Sequence, residues 1–513
     1  MIRAASLLVI AFLLLLGGIS AYAAEGASLE RGTAITDPLA LRELDRGRFG
    51  LVRMLLPERS ADIPLANATL FALPSMVPVQ QAIDREFEVY IERHRKNLSA
   101  ETVGVGDGFD FQLFDRTQLY SPDMRFVLAG IVNRMDRTYL DEVGCGEIRL
   151  IYRLTKTRGS EENAPRLPAM LNLVLRAKGD RASEIKIACA EIARRWLALG
   201  SESATSADLV AKLLTKDGPL DLIGSENLEL IETNLQIAHV PKSAVRDFRT
   251  DYLLKVFRYD TNAKRFEEAP LENQIDRERI LADENLKRDF KAWVLQPRHF
   301  AQLDGGTLLL PEQFLAKGAI AATPVGFAPS NLQPAFGLTE GEGANPVFTA
   351  NDVVSALKKA ANSGVVLQNI RSVAGFARRL NDLTCSGCHQ TRGIGGFHFP
   401  GVDWMAQKPS NSTVVPASPH FLGDQVRRRD ILNAIASGKN PDYSRGFSSR
   451  PQLRGNTELA GTEYNDGWGA HCYRQRGKVA DNDASFRSWT CAKGLACQVT
   501  GENRMGMCFV ESR

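Results

Sequence analysis

The sequence predicts an α+β fold: an N-terminal antiparallel sheet with helices, then a mostly helical segment, then a small disulfide-rich C-terminal module. Three observations carry this. Between residues 126 and 260, short apolar or alternating runs of strand length follow one another with turn residues between them. From about residue 331 the apolar spacing becomes that of helices. Cys472, Cys491, Cys497 and Cys508 then cluster in a stretch rich in glycine and polar residues.

Residues 1–23 read as an export signal. Arg3 precedes the apolar run Leu7 to Ile19, and Ala21-Tyr22-Ala23 puts small residues at the two positions a signal peptidase reads, with cleavage after Ala23. An uncleaved anchor is the alternative, because the run counted outward to Ala4 and Ala24 approaches a spanning length. Later apolar stretches such as Gly318 to Ala322 are too short to cross lipid, so no transmembrane segment is expected after signal cleavage.

Residues 24–330 are expected to form the α+β domain, whose role the sequence does not reveal. Phe87, Val89 and Ile91 sit in a helix from about Gln80 to Lys96. Strands follow at Phe126 to Val132, at Glu147 to Thr155 with Ile148, Leu150, Tyr152 and Leu154 on one face, and at Met170 to Leu175. Ser183 to Leu197 reads as one amphipathic helix carrying Cys189 inward. Further strands are expected at Leu228 to His239 and Leu253 to Tyr259, where the Asp260-Thr261-Asn262 turn begins a return. Together these form an antiparallel meander. Asn133-Arg134-Met135-Asp136-Arg137 and Glu147 read as loop ion pairs. No nucleophile elbow, phosphate loop or zincin helix occurs in the chain.

Residues 331–460 are expected to be mostly helical. Thr349 or Asn351 caps a helix with Val353, Val354, Leu357 and Ala361 on its apolar face and Gly364 as its stop. A second helix carries Ile370, Val373, Ala374, Ala377 and Leu380. After a Ser- and Pro-rich loop from Pro409 to Pro419, Asp424 starts a third, with Ile431, Leu432 and Ile435 inward, Arg427, Arg428 and Arg429 outward, and Gly438 at its end.

The eight cysteines leave no thiol over in an oxidising compartment. Cys145 and Cys189 stand alone in the first part of the chain and are expected to pair. Residues 461–513 form the disulfide module. Three connectivities fit its four cysteines, and Cys472 with Cys497 and Cys491 with Cys508 is the favoured one. A formal net charge of +3 argues against a dedicated nucleic-acid surface. The charge is uneven: Val365 to Arg454 holds twelve Arg or Lys against five Asp. That excess reads either as a solvated basic face or as a surface that attracts an acidic redox partner.

Cys385-Ser386-Gly387-Cys388-His389 names a chemistry. In this CxxCH spacing the two thiols suit thioether bonds to porphyrin vinyl groups, and the histidine suits the proximal bond to iron. A disulfide, a thiol redox pair or half of a zinc site are the other readings of a CxxC. The helix expected before the motif makes Arg378 to His389 resemble class I cytochromes c. A thioredoxin-like arrangement would want a strand there. The resemblance implies one covalent haem c per chain, held by Cys385 and Cys388 with His389 on iron, and a role in electron transfer. The family's distal methionine loop is not obvious downstream. Met405 is the first candidate, with about 50 Å of extended reach from His389, and His398 the second, with about 30 Å. An open or water-bound distal face is another reading, and His420 or remote residues are the remaining ones. The chain is then an exported, periplasmic electron-transfer protein. The alternatives are an exported binding protein with a Cys385–Cys388 disulfide and no cofactor, or a haem peroxidase-type enzyme.

Overall fold

The computed structural model describes residues 32–59, 63–157, 166–199, 206–240, 250–323, 346–385, 399, 401–402, 404–405, 421, 424–445, 471–474, 490–491, 493–498 and 505–510. The expected signal at 1–23 lies outside the described residues. Helices α1 (Pro38–Arg46), α2 (Leu51–Leu55), α3 (Asn67–Ala72) and α4 (Val77–Asn97) open the chain after the short strand β1 (Ala34–Ile35). The start of α1 is fixed locally, because Asp37 accepts the Ala40 N–H at 2.7 Å and Pro38 needs no N–H partner in the first turn. In α4, Val79, Ala82, Ile83, Phe87, Tyr90 and His94 recur at helical spacing and form its buried face.

The sheet follows: β2 (Val103–Gly104), β3 (Phe111–Leu113), β4 (Met124–Arg134), β5 (Glu147–Lys156) and β6 (Arg166–Arg176). Helices α5 (Asp180–Glu184), α6 (Cys189–Ala198) and α7 (Ser206–Leu214) intervene. Strands β7 (Leu228–His239), β8 (Thr250–Asp260) and β9 (Arg265–Ala269) then continue the sheet. From β4 to β9 each strand pairs antiparallel with the next, so the meander is present; β1 adds to the β4 edge and β10 (Ala319–Thr323) pairs with β8. One face of this sheet is apolar. Leu128, Ile148, Leu150, Tyr152, Leu154, Leu171, Leu173 and Ile231 on it share one core with residues of α1 to α4, α6 and α7, including the fully buried Trp196.

The helix expected over Ser183 to Leu197 is two helices. Lys186 between them takes φ +57°, a left-handed conformation that ends α5 and redirects the chain into α6. Cys189, the first residue of α6, bonds to Cys145 just ahead of β5, so the expected disulfide ties helix to sheet. Replacing both cysteines by alanine is expected to cost about 2–4 kcal/mol in urea unfolding. Alkylation of either cysteine in the folded, unreduced wild type would show the bridge to be absent.

A second core is helical. Helices α8 (Arg277–Ala282), α9 (Glu284–Val294) and α10 (Pro297–Gly305) pack with α11 (Ala350–Asn362) and α12 (Val373–Leu383) through Ile280, Phe290, Phe300, Val353, Phe376 and Leu380. This core joins residues on both sides of position 330. Thr349 caps α11, as expected, in a reciprocal box with Asp352, and Gly364 stops it at φ +75°. Helix α13 (Gln425–Ala436) turns Ile431, Leu432 and Ile435 into the main core beside α6. Near the C-terminus, β11 (His471–Tyr473), β12 (Leu495–Gln498) and β13 (Met505–Val510) form a three-stranded antiparallel sheet crossed by the Cys472–Cys497 disulfide; Cys491 is also disulfide-bonded. Among the described residues no helix is long and apolar enough to cross a membrane.

Candidate functional site

The second face of the sheet is polar and yet buried. Strand alternation and register place on it Val132 and Arg134 of β4, Glu147, Arg149, Ile151 and Arg153 of β5, Met170 and Asn172 of β6, and Glu232 and Asn234 of β7. Arg134, Arg149, Arg153, Asn172 and Asn234 are each under a tenth exposed. What covers them comes from beyond the CxxCH motif. Phe399 lies beneath two guanidiniums, Arg149 at 5.3 Å and Arg134 at 5.9 Å from its ring centre, and Arg428 stands 5.3 Å from the ring of Phe421.

A bulge in the sheet anchors this cover. Register shifts between Leu128 and Gly130, so Ala129 has no partner residue on β5. The Val402 N–H donates to the Ala129 carbonyl at 2.8 Å and Trp404 Nε1 donates to that of Leu128 at 2.9 Å. Between the two aromatic anchors, Gly401 lies close against Arg153: a Cβ there would stand 2.2 Å from Arg153 Nη1, so the buried guanidinium would have to shift.

Two ion-pair networks neutralise the buried charge. In the first, Arg149 donates to Glu147 at 3.0 Å and Glu232 at 2.7 Å, while Arg137 donates to Glu147 at 3.0 Å and also pairs with Glu272. Burial pushes the Glu147 carboxyl up, but Arg137, Arg149 and Arg134 outweigh it and hold it at about 2. In the second, Asp136 accepts from Arg134 at 2.8 Å and from Arg427 at 3.0 Å, and Arg445 lies 3.6 Å away. Asp424 accepts from Arg427 at 2.7 Å and Arg428 at 3.1 Å.

These contacts correct two expectations. Arg134, Asp136, Arg137 and Glu147 are ion-paired as expected, but not all in a loop: Arg134 ends β4, Asp136 and Arg137 form the turn after it, and Glu147 opens β5, and the first three are buried. Arg427 and Arg428 do not face outward: Arg428 is 2 % exposed, and both turn to Asp424 and the sheet because Asp136 and Asp424 compensate them there.

The helix that leads into the motif is held as firmly. Asp304, at the end of α10, accepts the backbone N–H groups of Gln368, Asn369 and Ile370 at 2.8, 2.7 and 2.6 Å. Arg379, 1 % exposed, donates to the carbonyls of Asp304 and Arg445 at 2.7 and 2.9 Å, and Phe376 stacks on Phe300. Ser372 caps α12, Thr384 ends it, and Cys385 follows, partly buried.

Of the residues singled out from sequence, Cys385 therefore has a defined place, whereas Cys388, His389 and His398 lie outside the described residues. Met405 is 4 % exposed and belongs to the main core beside Trp404. Sequence reasoning missed the polar sheet face. Its signal was the alternation Glu147, Arg149, Arg153 against Ile148, Leu150, Tyr152, which reads as a solvent face unless a covering segment is foreseen.

No protein-family model, curated protein or solved structure matches the chain.

Proposed function

We propose that the chain is an exported, periplasmic c-type haem protein that transfers electrons through one covalently bound haem. Its segment 331–460 is the cytochrome c-like part and 461–513 a disulfide-rich module. The observation that carries this is the CxxCH sequence at the end of α12, a helix fixed by Asp304 and Arg379. The donor set fits: Cys385 and Cys388 offer thiols for thioether bonds and His389 an imidazole for iron. Haem, when bound, supplies a one-electron couple at its iron.

The chain's own residues supply the setting. Arg428 Nη1 is buried and has no hydrogen-bond partner among the described residues, and burial together with Arg134 pushes this guanidinium down to about 10. Such a donor suits the carboxylate of a haem propionate. The basic excess between Val365 and Arg454 suits an acidic redox partner. Met405, buried in the main core with Trp404, is the first choice for the distal ligand. His398 is the second choice.

The test is mass spectrometry of the denatured protein made together with the haem-attachment machinery. A haem adduct is expected in the wild type and none when Cys385 and Cys388 are alanine. A wild type without adduct and with a Cys385–Cys388 disulfide overturns the proposal in favour of an exported binding protein. In the haem-loaded protein, Met405→Ala is expected to lower the midpoint potential and His398→Ala to leave it unchanged. The reverse assigns the ligand to His398, and ready carbon monoxide binding by the wild type assigns an open face and favours the enzyme reading.

A further inference from the structure

A separate cavity of about 620 Å³ opens between the α1–α2 corner and the turn before β7, lined by Arg46, Gly47, Arg48, Arg53, Arg181 and Glu226 among others. Among the described residues that line it, Arg48, Arg53 and Arg181 stand beside one carboxylate, Glu226. Arg48 Nη2 donates to the backbone carbonyl of Asp221 at 2.8 Å, and Arg53 Nη1 reaches the carbonyl of Pro57 at 3.4 Å. Among the described residues, Arg48, Arg53 and Arg181 form no ion pair with a carboxylate within 4 Å. By contrast, Arg134 and Arg149 on the sheet's polar face and Arg427 on α13 are each bonded to at least one carboxylate.

The cavity is more than a solvated basic face. Arg48 is half-buried; burial drives its pKa below the usual guanidinium range, Glu226 and Asp221 oppose this, and the charge of Arg181 adds to the lowering. The side chain of Glu226 folds over Gly224, where a Cβ would meet its Oε2 at 2.3 Å. Glu226, exposed at the edge of the arginine cluster, is the only carboxylate lining it among the described residues, and an incoming anion would compete with it.

We propose that this cavity binds a small organic oxyanion carrying at least two negative charges, recognised by the forks of Arg48 and Arg181 with Arg53 adding attraction. Phosphate and carboxylate groups share this chemistry. The site is independent of the haem proposal, so either can fail alone.

The experiment is isothermal titration of the full chain at low ionic strength with inorganic pyrophosphate and, separately, with citrate. Saturable binding of one per chain is expected for at least one probe. Arg181→Gln, on an exposed side chain, is expected to weaken it by roughly tenfold, and Glu226→Gln to tighten it by about threefold. Binding of pyrophosphate alone assigns phosphate groups, and binding of citrate alone assigns carboxylates. No saturable binding of either probe overturns the proposal, as does binding that Arg181→Gln and Arg48→Gln both leave unchanged in folded protein.

Discussion

Asp136→Ala is expected to destabilise the protein by about 3–5 kcal/mol, because it removes the shared carboxylate from a buried group of arginines. The side chain of Asp136 is 1 % exposed and accepts from both Arg134 and Arg427, with Arg445 close by. Without it, guanidiniums from β4 and α13 meet in a buried interface where Asp424 and, for Arg134, Glu147 are the carboxylates left among the described residues. Asp136→Asn, which keeps the shape and an acceptor but not the charge, should lose nearly as much. Urea unfolding followed by tryptophan fluorescence checks both, and an unchanged midpoint would show that the network stabilises nothing.

The same carboxylates set an acid limit. Asp136 and Asp424 are held well below the usual aspartate range: burial raises each, and the attraction of Arg134 and Arg428 for Asp136 and of Arg427 for Asp424 outweighs it. A carboxyl whose folded pKa lies below its unfolded one contributes its full stability above the unfolded value, near 4, and loses it as the pH falls through the folded value. Stability should therefore be level down to about pH 5 and fall below it, through the value of about 2 held by Glu147.

Asp304→Ala is expected to cost about 3–4 kcal/mol, since three backbone N–H groups lose a charged acceptor at once. The loss is directional as well as energetic. Residues 368–370 form the entry to α12, and α12 ends at the CxxCH motif, so slackening the entry frees the helix that presents Cys385. Hydrogen exchange over residues 368–385 should rise in this variant while exchange in β5 and β6 stays slow. Equal protection in both proteins would show that Asp304 does not hold the helix.

Much of the fold is written in local pattern. The meander from β4 to β9 is legible because each strand alternates or runs apolar for strand length between turn residues, and α4 and α11 because their buried positions recur at helical spacing. The break between α5 and α6 is not, because it depends on Lys186 adopting a left-handed conformation that lysine rarely takes. Helices α8 to α10 escaped notice although Asp276 and Asp283 cap the first two and Pro297 opens the third. Of the site, the CxxCH spacing is readable in five residues. The polar sheet face is not, because strand charges signal solvent unless a distant segment buries them. Arg428 defeated the amphipathic reading of α13 for the same reason: that helix is buried on two sides, one apolar and one ionic.

The docking of the late segment on the β4 bulge has a consequence in time. Thr33 donates to Gln425, 392 residues further on; Trp404 reaches back 276 residues to Leu128, and Arg427 reaches back 291 to Asp136. A chain that emerges N-terminus first builds its meander from neighbours, and then waits. Until Phe399, Phe421, Arg427, Arg428 and Arg445 arrive, the charged face stays uncovered and Asp136 lacks three of the four arginines around it. Closure at such separation is slow compared with hairpin formation. Cys385 and Cys388 therefore emerge ahead of the clasp that completes the molecule, and a chain shortened before residue 399 is expected to lack the electrostatics that make the sheet's second face an interior.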